Sequence, residues 1–114
     1  MLIPLQISFH GIRQSPGLHD AIRERAGRLE RYYDRIASCR IVLELVARHK
    51  RQGRQFTARI DLKLPGGEIA VTREHDEDVR IALREAFAAA RRRLEDYARK
   101  QRGDVKRRVA PAQS

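Results

Sequence analysis

With one cysteine in 114 residues, Cys39, the chain cannot close a disulfide on itself, and a lone thiol fits a reducing compartment. Long apolar runs are missing. Met1-Leu2-Ile3-Pro4-Leu5 has no charged segment leading into an apolar stretch, and no window approaches the length that spans a bilayer, so the expectation is a soluble cytoplasmic protein that does not enter membranes. Also missing are CxxC, HExxH and a glycine-rich phosphate loop. His10, His19, His49 and His75 fall on separate elements without ligand spacing, which argues against an enzyme, a metal site, a cofactor or a small-molecule substrate. Near Cys39 only Arg40 would depress a thiol pKa, and Gly66-Gly67 after Pro65 reads as a turn rather than an anion cradle. Acid is in deficit. Fifteen Asp and Glu stand against 25 Lys and Arg, a net charge of +10 that attracts polyanions, nucleic acid first and an anionic membrane surface second.

What is present alternates between two periodicities. Leu5, Ile7 and Phe9 alternate with Gln6, Ser8 and His10, the period of a half-buried strand ending at Gly11. Ser15-Pro16 is a helix start, with a hydroxyl to cap free amides and a proline suited to the first turn. Leu18, Ile22, Ala26, Leu29, Tyr33 and Ile36 then form one stripe of an amphipathic helix of about five turns. The period of two returns in Ile41, Leu43, Leu45 and Ala47, and again in Phe56, Ala58, Ile60, Leu62 and Leu64. The polar segment from His49 to Gln55 joins these runs as a hairpin. After the turn Pro65-Gly66-Gly67, Glu68 to Thr72 makes a fourth short strand. Asp76, Glu77 and Asp78 open a last helix with Val79, Leu83, Ala86, Phe87, Ala90, Leu94 and Tyr97 on its apolar stripe, ending at about Arg102.

The order β-α-β-β-β-α predicts an α+β two-layer sandwich: a four-stranded sheet with both helices packed on one face. The first strand, helix and next strand form a right-handed crossover between parallel neighbours, and the rest an antiparallel meander. One domain spans residues 1–102, followed by a flexible basic tail at 103–114.

The arginines carry the functional reading. On the first helix Arg28, Arg31 and Arg35 cluster on a flank of the apolar stripe, with Arg25 at its edge. On the last helix Arg80, Arg84, Arg91 and Arg102 share a stripe, with Arg92 and Arg99 beside it. If both helices lie on one face of the sheet, these flanks make a groove with cationic walls, and guanidinium groups offer fixed donors to phosphate at any physiological pH. Pairing with Glu24, Glu30, Asp34, Glu85, Glu95 and Asp96 along the helices is the competing account. The acids neutralise only part of the set, which favours a polyanion site. Tyr32, Tyr33 and Tyr97 lie in or beside the apolar stripes, so recognition of structured RNA through backbone and shape is expected rather than reading of unstacked bases.

The stretch Leu29-Glu30-Arg31-Tyr32-Tyr33-Asp34-Arg35-Ile36, then Gly66-Gly67-Glu68-Ile69, then acids opening a basic last helix, resembles the family of ribosome hibernation-promoting factor and ribosome-associated inhibitor A, also described as modulators of an alternative sigma factor. The likeness covers about residues 3 to 102. It implies a fold related to double-stranded RNA-binding domains and attachment to rRNA of the small ribosomal subunit between head and body. There the protein occupies the path of mRNA and tRNA and silences translation under stress. The family's rRNA-contacting basic positions match Arg25, Arg28 and Arg31 on the first helix and Arg92 and Lys100 on the last, whereas Ala89 and Asp96 stand where relatives carry lysine; Arg91, Arg93 and Arg99 are placed to compensate. With no room for the dimerisation domain of long members, the chain resembles the short forms. Its tail Val105-Lys106-Arg107-Arg108-Val109 is basic, unlike the acidic tail by which some short forms oppose ribosome pairing. The rival readings are a general duplex-RNA binder and a protein-interaction module acting on a sigma factor.

Overall fold

A computed structural model describes residues 3–47 and 54–109. The elements follow the order β1 (Leu5–His10), α1 (Pro16–Tyr32), β2 (Ser38–Ala47), β3 (Arg54–Leu64), β4 (Gly67–His75) and α2 (Val79–Val109). The strands form one sheet in the order β1-β2-β3-β4. β1 runs parallel to β2, with Leu5 opposite Cys39 and His10 opposite Glu44. β2 and β3 are antiparallel, Ser38 opposite Lys63 and Ala47 opposite Arg54, which makes them the hairpin that the alternating patterns imply. The basic connector at 48–53 lies outside the described residues. β3 and β4 turn back through Pro65-Gly66, where Gly66 takes φ 80°, a left-handed conformation that glycine adopts without a Cβ clash.

The alternation in the strands sets one face of the sheet against the helices. Cys39, Ile41, Leu43, Ala58, Ile60, Leu62, Ile69 and Val71 are buried there in a single cluster with Leu18, Ile22, Ala26 and Leu29 of α1 and Leu83, Ala86, Phe87, Ala90 and Leu94 of α2. Both helices therefore cover the same face, and the opposite face, with Arg40, Glu44, Arg59 and Lys63 exposed, meets solvent.

Local chemistry marks the helix starts. Ser15 caps α1 in an extended conformation, its Oγ accepting from the Leu18 amide at 3.1 Å, with Pro16 in the first turn. At α2, Asp78 Oδ1 accepts from the Arg80 amide at 2.8 Å, and His75 Nδ1 accepts from the amides of Glu77 and Asp78 at 3.1 Å. The acids thus act just ahead of the helix.

Three boundaries differ from the sequence reading. α1 ends at Tyr32, and Tyr33 is extended at φ −140°, so Arg35 and Ile36 lie in the connection and not on the helix. Ile36 still reaches the core. The Ala37 amide donates to the Lys63 carbonyl at 2.7 Å, and the chain must leave the helix to make that bond and start β2 at Ser38. β4 is longer than Glu68 to Thr72, because its pairing with β3 continues to His75 opposite Phe56. α2 runs past Gly103 to Val109, which corrects an end at about Arg102: a glycine costs an interior helix position only about 1 kcal/mol relative to alanine. Residues 110–114 lie outside the described residues.

β4 is an edge strand, and two of its carbonyls are occupied by arginines. Arg73 Nη1 donates to the Thr72 carbonyl at 2.8 Å, and Arg93 Nη1 reaches from α2 to the Ala70 carbonyl at 3.1 Å. Unpaired edges invite strand addition, and charged side chains over them discourage it. Replacing Arg73 and Arg93 together with alanine is expected to increase concentration-dependent self-association in sedimentation velocity; an unchanged sedimentation profile contradicts the edge-guarding role. Ser15→Ala is expected to lower the stability to urea by about 1 kcal/mol through removal of the cap.

Candidate nucleic-acid interface

The helices lie side by side and run the same way. Near their starts the Arg80 guanidinium packs so close to Gly17 that a Cβ there would lie 3.1 Å from Nη2. Near the end of α1, the Arg91 guanidinium stands over the Tyr32 ring at 4.6 Å from its centroid, a cation–π contact, and Tyr33 meets Tyr97 edge-on at 6.1 Å. These contacts identify the flanks that face each other. Residues three, four and seven apart share a helix face, so Arg25 and Arg28 lie with Tyr32 on the α1 wall, and Arg80 and Arg84 lie with Arg91 on the α2 wall. Two walls of guanidinium groups therefore border one groove, as the packing of both helices on one sheet face demands.

The other candidate residues divide by the same rule. Arg92 and Arg99, seven apart, lie on the exposed outer face of α2. Lys100 is seven residues from Arg93, which turns towards the β4 edge, so Lys100 belongs to the flank away from α1. Arg31 is exposed on α1 beside Arg28. Arg35, in the connection after α1, borders a cleft at the end of the groove together with Tyr32, Tyr33, Ala98, Gln101 and Arg102. Ala89 is buried, 2% exposed, so its position contributes to the core and not to the outer surface. One residue of this region, Tyr32, which is 38% exposed, is not among the RNA contacts that the sequence suggests. The spacing of Tyr32 from Arg28 and Arg25 is the signal that the sequence carries; its membership of a two-helix groove is not written there.

Carboxylates engage some of the arginines. Arg28 pairs with Glu24, Arg91 with Glu95 at 3.7 Å, and Arg99 with Asp96. All of these side chains are largely exposed, and such pairs contribute about 0–1 kcal/mol, weak enough for a phosphate to displace the carboxylate. Among the described residues no ion pair engages Arg25, Arg31, Arg35, Arg84, Arg92 or Lys100. Among the described residues the competing account, that carboxylates neutralise the helices, therefore holds for three of the nine candidate cations.

No group of three or more His, Cys, Asp and Glu gathers as a metal site among the described residues, and no described helix is long and apolar enough to cross a membrane. Cys39 is buried at the start of β2. Burial, with a smaller contribution from Asp61, pushes its thiol up to about 12. Its neutral form is thus favoured by the fold, a contribution present below about pH 9 and lost as pH rises towards 12. Alkylation by iodoacetamide at pH 8 is expected to be slow in the folded protein and fast in urea, and equal rates would show an accessible, activated thiol. Burial also raises the Tyr33 hydroxyl above the ordinary tyrosine range, with Tyr97 and Asp34 reinforcing the shift and Arg35 opposing it.

Likeness to known proteins agrees with this architecture. The family described as sigma 54 modulation protein / S30EA ribosomal protein matches residues 5–102. The chain belongs to that family, as its sequence motifs imply. A ribosomal subunit interface protein from Coxiella burnetii has the same fold, with a TM-score of 0.71 at 20% identity over 84% of this chain and 98% of that one. The N-terminal domain of Thermus thermophilus Protein Y superposes with a TM-score of 0.69 at 22% identity, over 83% of this chain and 99% of that one. No curated protein matches the sequence.

Proposed function

We propose that this domain is a non-catalytic, cytoplasmic translation inhibitor that binds rRNA of the small ribosomal subunit and occupies the path of mRNA and tRNA. The observation that carries the reading is the groove, in which Arg25 and Arg28 of α1 face Arg84 and Arg91 of α2 across the contact between Arg91 and Tyr32. Family membership supports the partner, and one protein of the same fold is named for the ribosomal subunit interface. In this reading the groove arginines grip rRNA phosphates, Arg31, Arg35, Arg92, Arg99 and Lys100 add contacts around it, and inhibition follows from occupancy. No bond is made or broken.

Phosphate binding releases counterions, so ribosome retention falls as salt rises, and each arginine removed from the phosphate grip flattens the log–log slope by about one unit. Arg28→Glu combined with Arg84→Glu is expected to leave the fold intact, since both side chains are exposed, while reducing co-sedimentation with ribosomes at low salt and flattening the salt dependence by about two units. Retention equal to that of the parent protein would overturn the reading. The family's description also includes sigma 54 modulation, which favours a protein partner as the second reading. A sigma-factor complex survives ribonuclease in a pull-down, whereas rRNA-dependent capture does not.

A further inference from the structure

At the end of the groove, between the C-terminal turn of α1 and the later turns of α2, lies a cleft of about 530 Å³ bordered by Tyr32, Tyr33, Arg35, Ala98, Gln101 and Arg102. Its size falls within the roughly 300–1,000 Å³ typical of small-ligand sites. Three features give it a chemical character. Tyr32 offers an exposed aromatic ring already carrying the Arg91 guanidinium, so a further planar group on the ring would extend a stack rather than begin one. Arg35 and Arg102 stand at the border against one carboxylate, Asp34, which leaves an excess of positive charge. The Tyr33 hydroxyl, also on the lining, is buried and has no hydrogen-bond partner among the described residues. A buried hydroxyl in that state is uncommon, and a turn of the Tyr33 side chain towards the cleft would let a ligand polar group satisfy it. Tyr97 does not serve it: its own hydroxyl is engaged with the Pro65 carbonyl and the Gln101 amide.

A planar aromatic group, an attached anion and a polar edge together describe a nucleotide. We propose that this cleft receives one unstacked base of single-stranded RNA, with the base lying against Tyr32, its polar edge meeting Tyr33, and the neighbouring phosphate held by Arg35 or Arg102. The proposal rests on the RNA-binding reading above and deepens it, because it adds a contact to an unpaired base where the groove alone would grip backbone. An acidic peptide could satisfy the arginines but would not use the flat ring and the unpartnered hydroxyl together, and it forms the competing arm of the test.

The test uses the full chain and a short oligoadenylate, a duplex RNA of equal length and an oligoglutamate peptide as probes. Tyr32→Ala is expected to weaken oligoadenylate binding by roughly 5- to 100-fold, the factor supplied by one base–aromatic stack, and duplex binding by less, since the duplex loses only the support that the ring gives Arg91, while Tyr32→Phe stays within about twofold of the parent for both. Because the chain has no tryptophan, Tyr32→Trp supplies a single fluorescent reporter, expected to be quenched by oligoadenylate and not by duplex or peptide. Undiminished oligoadenylate binding by Tyr32→Ala, no binding of oligoadenylate by the parent chain, or tighter binding of the peptide than of oligoadenylate each overturns the cleft assignment. None of these outcomes bears on ribosome retention, which is read separately with the Arg28 and Arg84 variants, so failure here and failure of the ribosomal reading remain distinguishable.

Discussion

The apolar face of the sheet has to be kept from water, and α1 and α2 are what cover it. Fully burying one leucine or isoleucine contributes roughly 1.5–3 kcal/mol, whereas an exposed ion pair contributes about 0–1 kcal/mol. Packing therefore decides how each helix is rotated about its axis, and the charged residues take what remains. Leu18, Ile22, Ala26 and Leu29 commit one side of α1 to the sheet, as Leu83, Ala86, Ala90 and Leu94 do for α2. The arginines are left with the facing flanks and the outer surface, and the groove of guanidinium groups follows from the burial of the leucines.

Such a groove gathers like charge, and its tolerance has a physical basis. The side chains are exposed, where two unit charges 4 Å apart interact by only about 1 kcal/mol in bulk water and salt reduces that further. Glu24, Glu95 and Asp96 moderate the repulsion at Arg28, Arg91 and Arg99 without locking those side chains, since the pairs are solvent-exposed. Arg91 also rests on Tyr32, which draws the two walls together with an aromatic face in place of a carboxylate. These cations are positioned and yet only weakly engaged, an arrangement that suits phosphate recognition better than either bare or fully paired arginines.

Tyr32 shows how an aromatic residue can belong to neither core nor open surface. It follows Leu29 and precedes Tyr33 and, by sequence, sits beside the apolar stripe. In the fold it stands at the rim, half of a contact whose other half comes from a residue 59 positions away. In the proposed function, the backbone-and-shape mode of RNA recognition expected from the scarcity of exposed aromatics belongs to the groove, and the cleft at its end has an exposed ring besides.

Periodicity was enough to determine the element order and the inward-facing residues, because burial of alternate strand residues and of one helical stripe leaves its mark directly in the order of residues, while turn composition, the crossover rule and Ser-Pro chemistry supplied the hairpins, the parallel first pair and the Ser15 cap. The arginines could be assigned to helix flanks for the same reason. Which flank faced which partner was undetermined, since Arg25, Arg28, Arg84 and Arg91 become neighbours only when two helices dock on one sheet, whereas Lys100, on the flank away from α1, does not. The exit of α1 at Tyr32, the continuation of α2 past Gly103 and the gathering of Tyr32, Tyr33, Arg35 and Arg102 around one cleft were likewise settled by tertiary structure. Local sequence records what each segment buries, while contacts between distant segments depend on where the rest of the chain places their partners.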